Sequence, residues 1–185
     1  MAVGAVTLLG ALGSLLGIVV WSAGSYNSLV RLRELVTEAW QQIERELDRR
    51  LELVPDLVKG LRAHVPQNAV QPVLRARARV RNAGRDPRTR APAENELIRA
   101  LAELLRAAEN RPALDSDQGF QALRCELASI EDRIAASRRF YNASADALNA
   151  RVRGRSRLTA ILVGIRRADS FEGVDGCAAW TEQAR

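Results

Sequence analysis

The sequence predicts an all-α fold, with an N-terminal transmembrane helix followed by an antiparallel bundle of long helices. Three observations carry that prediction. A run of about thirty residues without a charged side chain opens the chain, and the first charge is Arg31. Beyond it Ala, Leu, Arg and Glu dominate, β-branched and aromatic residues are sparse, and strand-like alternation is hard to find. Apolar residues in that remainder recur every three or four positions, the period of one helix face.

The opening segment is the most constrained. From Ala2 to Ala23 only Thr7, Ser14 and Ser22 have polar side chains. About twenty such residues, rising about 1.5 Å each, cross the roughly 30 Å hydrocarbon core of a bilayer. A cleaved secretory signal would need a basic n-region and a short apolar core. Met1-Ala2-Val3 leads straight into the apolar run, which is longer than a usual signal core, although Ser22-Ala23-Gly24 has some character of a cleavage site. The favoured reading is an uncut anchor over residues 1–24. Arg31, Arg33 and Arg45 all follow the span, which places the N-terminus outside and the bundle in the cytoplasm, at the cell membrane. Trp21 and Tyr26 suit the headgroup level. Gly13 and Gly17 form a GxxxG, and Gly10 with Ser14 a second small pair; such spacing lets helices associate as a homo-oligomer. Glycine is also common in membrane helices for other reasons, so the pattern has a plainer explanation.

Residues 25–172 form the predicted bundle. From Tyr26 the series Leu29, Leu32, Val36, Trp40, Ile43, Leu47, Val54, Leu57, Leu61 keeps helical spacing, with Arg33, Glu34, Glu44, Arg45, Asp48, Arg49 and Glu52 on the other face. Pro55 removes one donor from this helix and should kink it. Gly60, His64 and Pro66 mark its end. A shorter helix is predicted from Val70 to Ala83, then an exposed loop through Gly84-Arg85-Asp86-Pro87-Arg88 and Ala91-Pro92. A third helix carries Leu97, Ile98, Leu101, Leu104, Leu105 and Ala108. The last starts near Ser116 and carries Phe120, Leu123, Leu127, Ile130, Ile134, Tyr141, Ala145 and Leu148, regular enough for coiled-coil-like packing on another long helix. Four amphipathic segments, none able to bury its stripe alone, imply an antiparallel bundle. The apolar run Leu158–Ile165, bounded by Arg157 and Arg166-Arg167, either packs on the open end of the bundle or dips into the membrane surface. Residues 173–185 read as a flexible tail.

Little in the sequence suggests catalysis. There is one histidine, His64, and Cys125 and Cys177 lack metal-ligand spacing, so no metal, cofactor or catalytic residue is nominated. Walker, GxSxG and HExxH patterns are absent. The carboxylate pairs Glu44 with Asp48 and Glu94 with Glu96 read as solvated faces. Arg75, Arg77, Arg79, Arg81, Arg85, Arg88 and Arg90 crowd one segment against Asp86 alone. This segment, 75–90, is a candidate contact for anionic lipid, with a solvated surface close behind. Nucleic acid is not the expected partner, because no aromatic residue is interleaved for base stacking.

The chain resembles the LemA family of bacterial membrane-anchored proteins. The resemblance rests first on Tyr26-Asn27-Ser28-Leu29-Val30 with Arg33, Val36, Ala39-Trp40, Ile43 and Leu47, then Arg49-Arg50-Leu51-Glu52-Leu53-Val54-Pro55-Asp56-Leu57-Val58. It continues in Glu126-Leu127 through Glu131, Arg133-Ile134-Ala135, Arg138-Arg139-Phe140-Tyr141-Asn142 and Asn149, and in the patch ending Phe171-Glu172. Departures fall between about Pro66 and Arg111 and after Gly173. The resemblance implies a long-helix bundle on one N-terminal anchor, without a settled activity. Within it, Arg138 and Arg139 could pair with acids of the first helix, and Asn27, Asn142 and Asn149 could hydrogen-bond between helices. The function expected is that of a non-catalytic scaffold or adaptor at the inner membrane surface, with an unidentified protein partner. The alternative is a helical enzyme or lipid-binding protein acting on anionic lipid.

Overall fold

A computed structural model describes residues 2–109, 111–154, 164 and 167–171. The side chains of residues 2–9, 11 and 18 lie outside that description, as do Cys177, the tail, and the run from Leu158 to Ile165 apart from Gly164. All regular structure among the described residues is helical: α1 (Ala2–Leu61), α2 (Gln67–Asn82), α3 (Pro87–Ala108), the single turn α4 (Pro112–Asp115) and α5 (Gln118–Arg153). Among the described residues no helix is long and apolar enough to cross a membrane.

Contacts divide the chain into two units. One comprises Met1–Glu38 with Ala143–Ala168, the other Ala39–Asn142 with Asp169–Arg185. In the first, Leu29 packs on Leu148, with Leu32, Val36, Val152 and Ala168 around them.

The second unit holds the main core. Val54, Leu57 and Leu61 of α1 meet Val70, Val73 and Val80 of α2, Leu97, Leu101 and Leu104 of α3, and Phe120 and Leu127 of α5. Helix directions follow from the cross-links. Positions rising along α1 meet positions falling along α5, in Trp40 with Tyr141, Glu46 with Arg133 and Arg50 with Glu131. On α3 they rise together, Asp48 with Arg90 and Arg50 with Glu94, while Arg79 of α2 meets Glu96 of α3. The helices therefore alternate in direction through α1, α2, α3 and α5, the antiparallel bundle that the apolar stripes imply.

Several boundaries differ from the sequence reading, for identifiable reasons. The predicted loop ends at Asp86, not beyond Pro92. Asp86 accepts a hydrogen bond from the Arg88 N–H at 2.8 Å and Pro87 takes the first helical position, so α3 starts there. Gly84, at φ +74, makes the preceding turn. Asp117 caps α5 by accepting from the Gly119 and Phe120 N–H groups at 2.8 and 3.2 Å. The short turn α4 has no apolar period that would have announced it.

Pro55 lies inside α1 without ending it. It cannot donate to the Leu51 carbonyl, four residues back. The side chain of Arg77, on α2, donates to that carbonyl instead, Nε to O at 3.2 Å.

Candidate functional site

Two polar constellations stand out, both in the unit Ala39–Asn142 with Asp169–Arg185. The first lies in the bundle interior. Arg50 is fully buried and its two terminal nitrogens each donate to a carboxylate, Nη2 to Glu94 Oε2 at 2.5 Å and Nη1 to Glu131 Oε1 at 2.7 Å. Arg90 donates to the other oxygen of Glu94 at 2.9 Å and to Asp48 at 2.6 Å, with Glu44 at 4.0 Å. Alongside, buried Glu46 accepts from Arg133 Nε at 2.8 Å. One guanidinium thus ties α1 to both α3 and α5, and a second ties α3 back to α1.

Burial alone would pull the Arg50 pKa down. Attraction to Glu131 and Glu94, with the hydrogen bonds to both, outweighs it and leaves the pKa above its ordinary value. Arg90 behaves alike: burial lowers it, while hydrogen bonds to Asp48 and Glu94 bring it out raised. Both guanidiniums are locked in the charged form. Glu44 Oε1 and Arg50 Nε are buried without a hydrogen-bond partner among the described residues.

The second constellation seats the non-helical residues 169–171. Asn142 pairs with the backbone of Phe171 twice: the Phe171 N–H donates to Oδ1 at 2.9 Å, and Nδ2 donates to the Phe171 carbonyl at 3.3 Å. The Tyr141 hydroxyl donates to the Asp169 carbonyl at 2.7 Å. Burial, then the charges of Asp169 and Asp86, push the Tyr141 pKa up. The Phe171 ring, 2 % exposed, lies 5.2 Å from Trp40, whose other neighbour is Tyr141 at 5.6 Å. Arg88 grips the Asp169 carboxylate with both Nε and Nη2 at 2.6 Å. Those hydrogen bonds hold the Asp169 pKa below its ordinary value. In the other unit, Asn149 makes the same double pairing with the Ala168 backbone, at 2.8 and 3.0 Å.

The sequence-derived candidates are redistributed by this geometry. Of the carboxylates read as solvated faces, Asp48 and Glu96 do keep 49 % and 41 % of their side chains exposed, whereas Glu44 is largely covered and Glu94 is buried, both beside Arg90. Register between α1 and α5 is set by Arg50 and Arg133. Arg139 is exposed; Arg138 is half-buried, and burial together with the Arg139 charge lowers its pKa. Asn142 bonds to the backbone of Phe171 and Asn149 to that of Ala168, neither in a helix, and Asn27 is exposed. The arginines of segment 75–90 scatter: Arg77 serves the Leu51 carbonyl, Arg79 pairs with Glu96, Arg88 with Asp169, and Arg90 is buried. Arg85 approaches Glu44 at 3.9 Å, while Arg75 and Arg81 are exposed. His64 is half-buried near the end of α1, and Cys125 is an exposed free thiol. Among the described residues no three His, Cys, Asp or Glu side chains converge as a metal ion would require.

Sequence reasoning missed the seat for residues 169–171. Its signal was present in the Arg-Phe-Tyr-Asn element at 139–142 and in an aromatic at 171, but their pairing needs the fold.

Comparison with protein families matches residues 39–181 to the model described as the LemA family. No curated protein matches the chain.

Proposed function

The chain belongs to the LemA family, and on that premise we propose that it is a non-catalytic scaffold or adaptor. In this reading α1 anchors the bundle to the inner face of the cell membrane by a single pass, with the N-terminus outside. The observation that carries the anchor is the outer surface of α1. Leu12, Leu15, Leu16, Val19, Val20 and Trp21 are all more than half exposed, a run of large apolar side chains that would be costly in water and favourable in lipid. A non-catalytic role is supported by the interior charges, which are spent on one another across three helices. The scattering of the arginines of segment 75–90 favours an adaptor over a lipid-processing or lipid-binding protein, because four of the seven already serve internal partners.

The test is fractionation of cells expressing a C-terminally tagged chain, with the mature N-terminus determined and the tag probed by protease in spheroplasts. An intact Met1 in the membrane pellet with a protected tag is the expected outcome. A processed N-terminus or an accessible tag would sink the topology.

A further inference from the structure

The segment Asp169-Ser170-Phe171 is bound the way a recognition domain binds a short peptide. Its backbone is read by side chains: Asn142 pairs with both the N–H and the carbonyl of Phe171, and Tyr141 donates to the Asp169 carbonyl. Its side chains are read at two places, the Phe171 ring against Trp40 and the Asp169 carboxylate by the bidentate grip of Arg88. Main-chain bonds supply affinity in any sequence, while an anchor pocket and a charge partner select one. The acidic end of the seated stretch is superficial: Asp169 keeps 45 % and Arg88 71 % of its side chain exposed, and Ser170 faces solvent. The buried Phe171 ring is the part that must be withdrawn for the segment to leave.

We infer that this seat is a peptide-binding site, filled here in cis by the chain's own segment and open in trans to a partner protein. The partner's contribution is an extended stretch with an acidic residue two positions before an aromatic one. This deepens the adaptor reading, on which it rests, by naming the chemistry of the partner. Charge complementarity argues for such a ligand: the Arg88 guanidinium, 71 % exposed, already takes a carboxylate with two nitrogens at the acidic end. Occupation in cis sets the threshold, since a tethered segment competes at an effective concentration on the order of millimolar. Only a partner presented at high local density, as on a membrane, displaces it.

The experiment uses the full chain in detergent micelles and a fluorescent peptide, Arg-Arg-Ala-Asp-Ser-Phe-Glu, matching residues 166–172. The double variant Asp169→Ala/Phe171→Ala vacates the seat. Anisotropy should show it binding the peptide at least about tenfold more tightly than wild type does. A peptide with alanine in place of its Phe should not bind, and adding Asn142→Ala should abolish binding. A vacated variant with an unchanged thermal midpoint that ignores the peptide, or that binds the alanine peptide equally, overturns the site. Should the double variant fail to fold, Phe171→Ala alone removes the ring from its place beside Trp40; a folded Phe171→Ala chain that binds the peptide no tighter than wild type would then overturn the site. Wild-type dimerisation that is lost on Phe171→Ala would also overturn the partner assignment, in favour of a second copy of the chain. Failure of the adaptor reading is separable: a chain found unanchored in cells sinks that reading, while this binding is measured on purified protein.

Discussion

Arg50 and Arg88 each hold carboxylates at hydrogen-bond distance, yet they belong to opposite regimes. The Arg50 side chain has no exposure and its partners Glu94 and Glu131 almost none. Arg88 and Asp169 meet at the surface, both more than a third exposed. Inside, water cannot replace a lost partner, so removing one ion strands the others. Outside, water and salt stand ready to compensate, and the pair contributes little to overall stability. The same guanidinium chemistry therefore fixes helix register in one place and serves as a releasable contact in the other.

The largest expected effect comes from the interior. Arg50→Ala leaves Glu94 and Glu131 facing a void without their common cation, which should cost about 3–5 kcal/mol by analogy with other broken buried pairs. Replacing Arg50 and Glu131 by Met and Leu and Glu94 by Gln should cost less than the single change, because the buried cation goes with its carboxylates and Arg90 keeps Asp48 and an amide oxygen at position 94. Chemical denaturation of the purified chain measures both. A loss below about 1 kcal/mol for the single variant would mean that water reaches the cluster after all.

Arg77 sits between the two regimes, half-buried and bonded to a neutral carbonyl. Arg77→Ala should destabilise by about 0.5–1.5 kcal/mol, the net worth of one hydrogen bond. The diagnosis is sharper than the magnitude. Pro55→Ala restores a backbone donor to Leu51, so the Arg77→Ala loss should shrink in that background. Additive effects in the double-mutant cycle would show that Arg77 is not compensating for the proline.

What the sequence disclosed follows the same divide between interior and surface. The stripes on α1, α2, α3 and α5 were legible because apolar burial imposes a period: Leu47, Val73, Leu101 and Leu127 all lie where the spacing put them. The start of α3 was misplaced because two prolines outweighed Asp86, whose capping bond is local but needs the correct rotamer. Arg90 and Glu94 were read as surface residues, since charge in a helical pattern normally faces water, and Arg50 drew no reading beyond its place in a motif. Nothing in one sequence says that an arginine will meet two glutamates some 44 and 81 positions away. The seat for Phe171 was hidden for a like reason: Asn142 resembles any helical asparagine until a non-helical segment lies beside it.

The smallest effect probes the surface end of the contrast through pH. The hydrogen bonds from Arg88 depress the folded pKa of Asp169 below its ordinary 3.8. A depressed acid contributes stability that is complete above its unfolded value and lost as pH falls through the folded one. Docking of residues 169–171 should hence weaken only below about pH 4. Tyr141 works in the opposite direction. Burial raises its folded pKa above the ordinary 10.0, so the docked state binds the proton more tightly, and its contribution fades as pH rises past 10. Trp40 reports both limbs, provided Trp21 and Trp180 are replaced by Phe. Its fluorescence should stay level from about pH 5 to 9 and change at either edge, while far-ultraviolet dichroism of the helices holds steady. Asp169→Asn should abolish the acid edge and leave the alkaline one. If Trp40 and the helices change together at both edges, the segment is not releasable on its own, and the two guanidiniums share one cooperative unit.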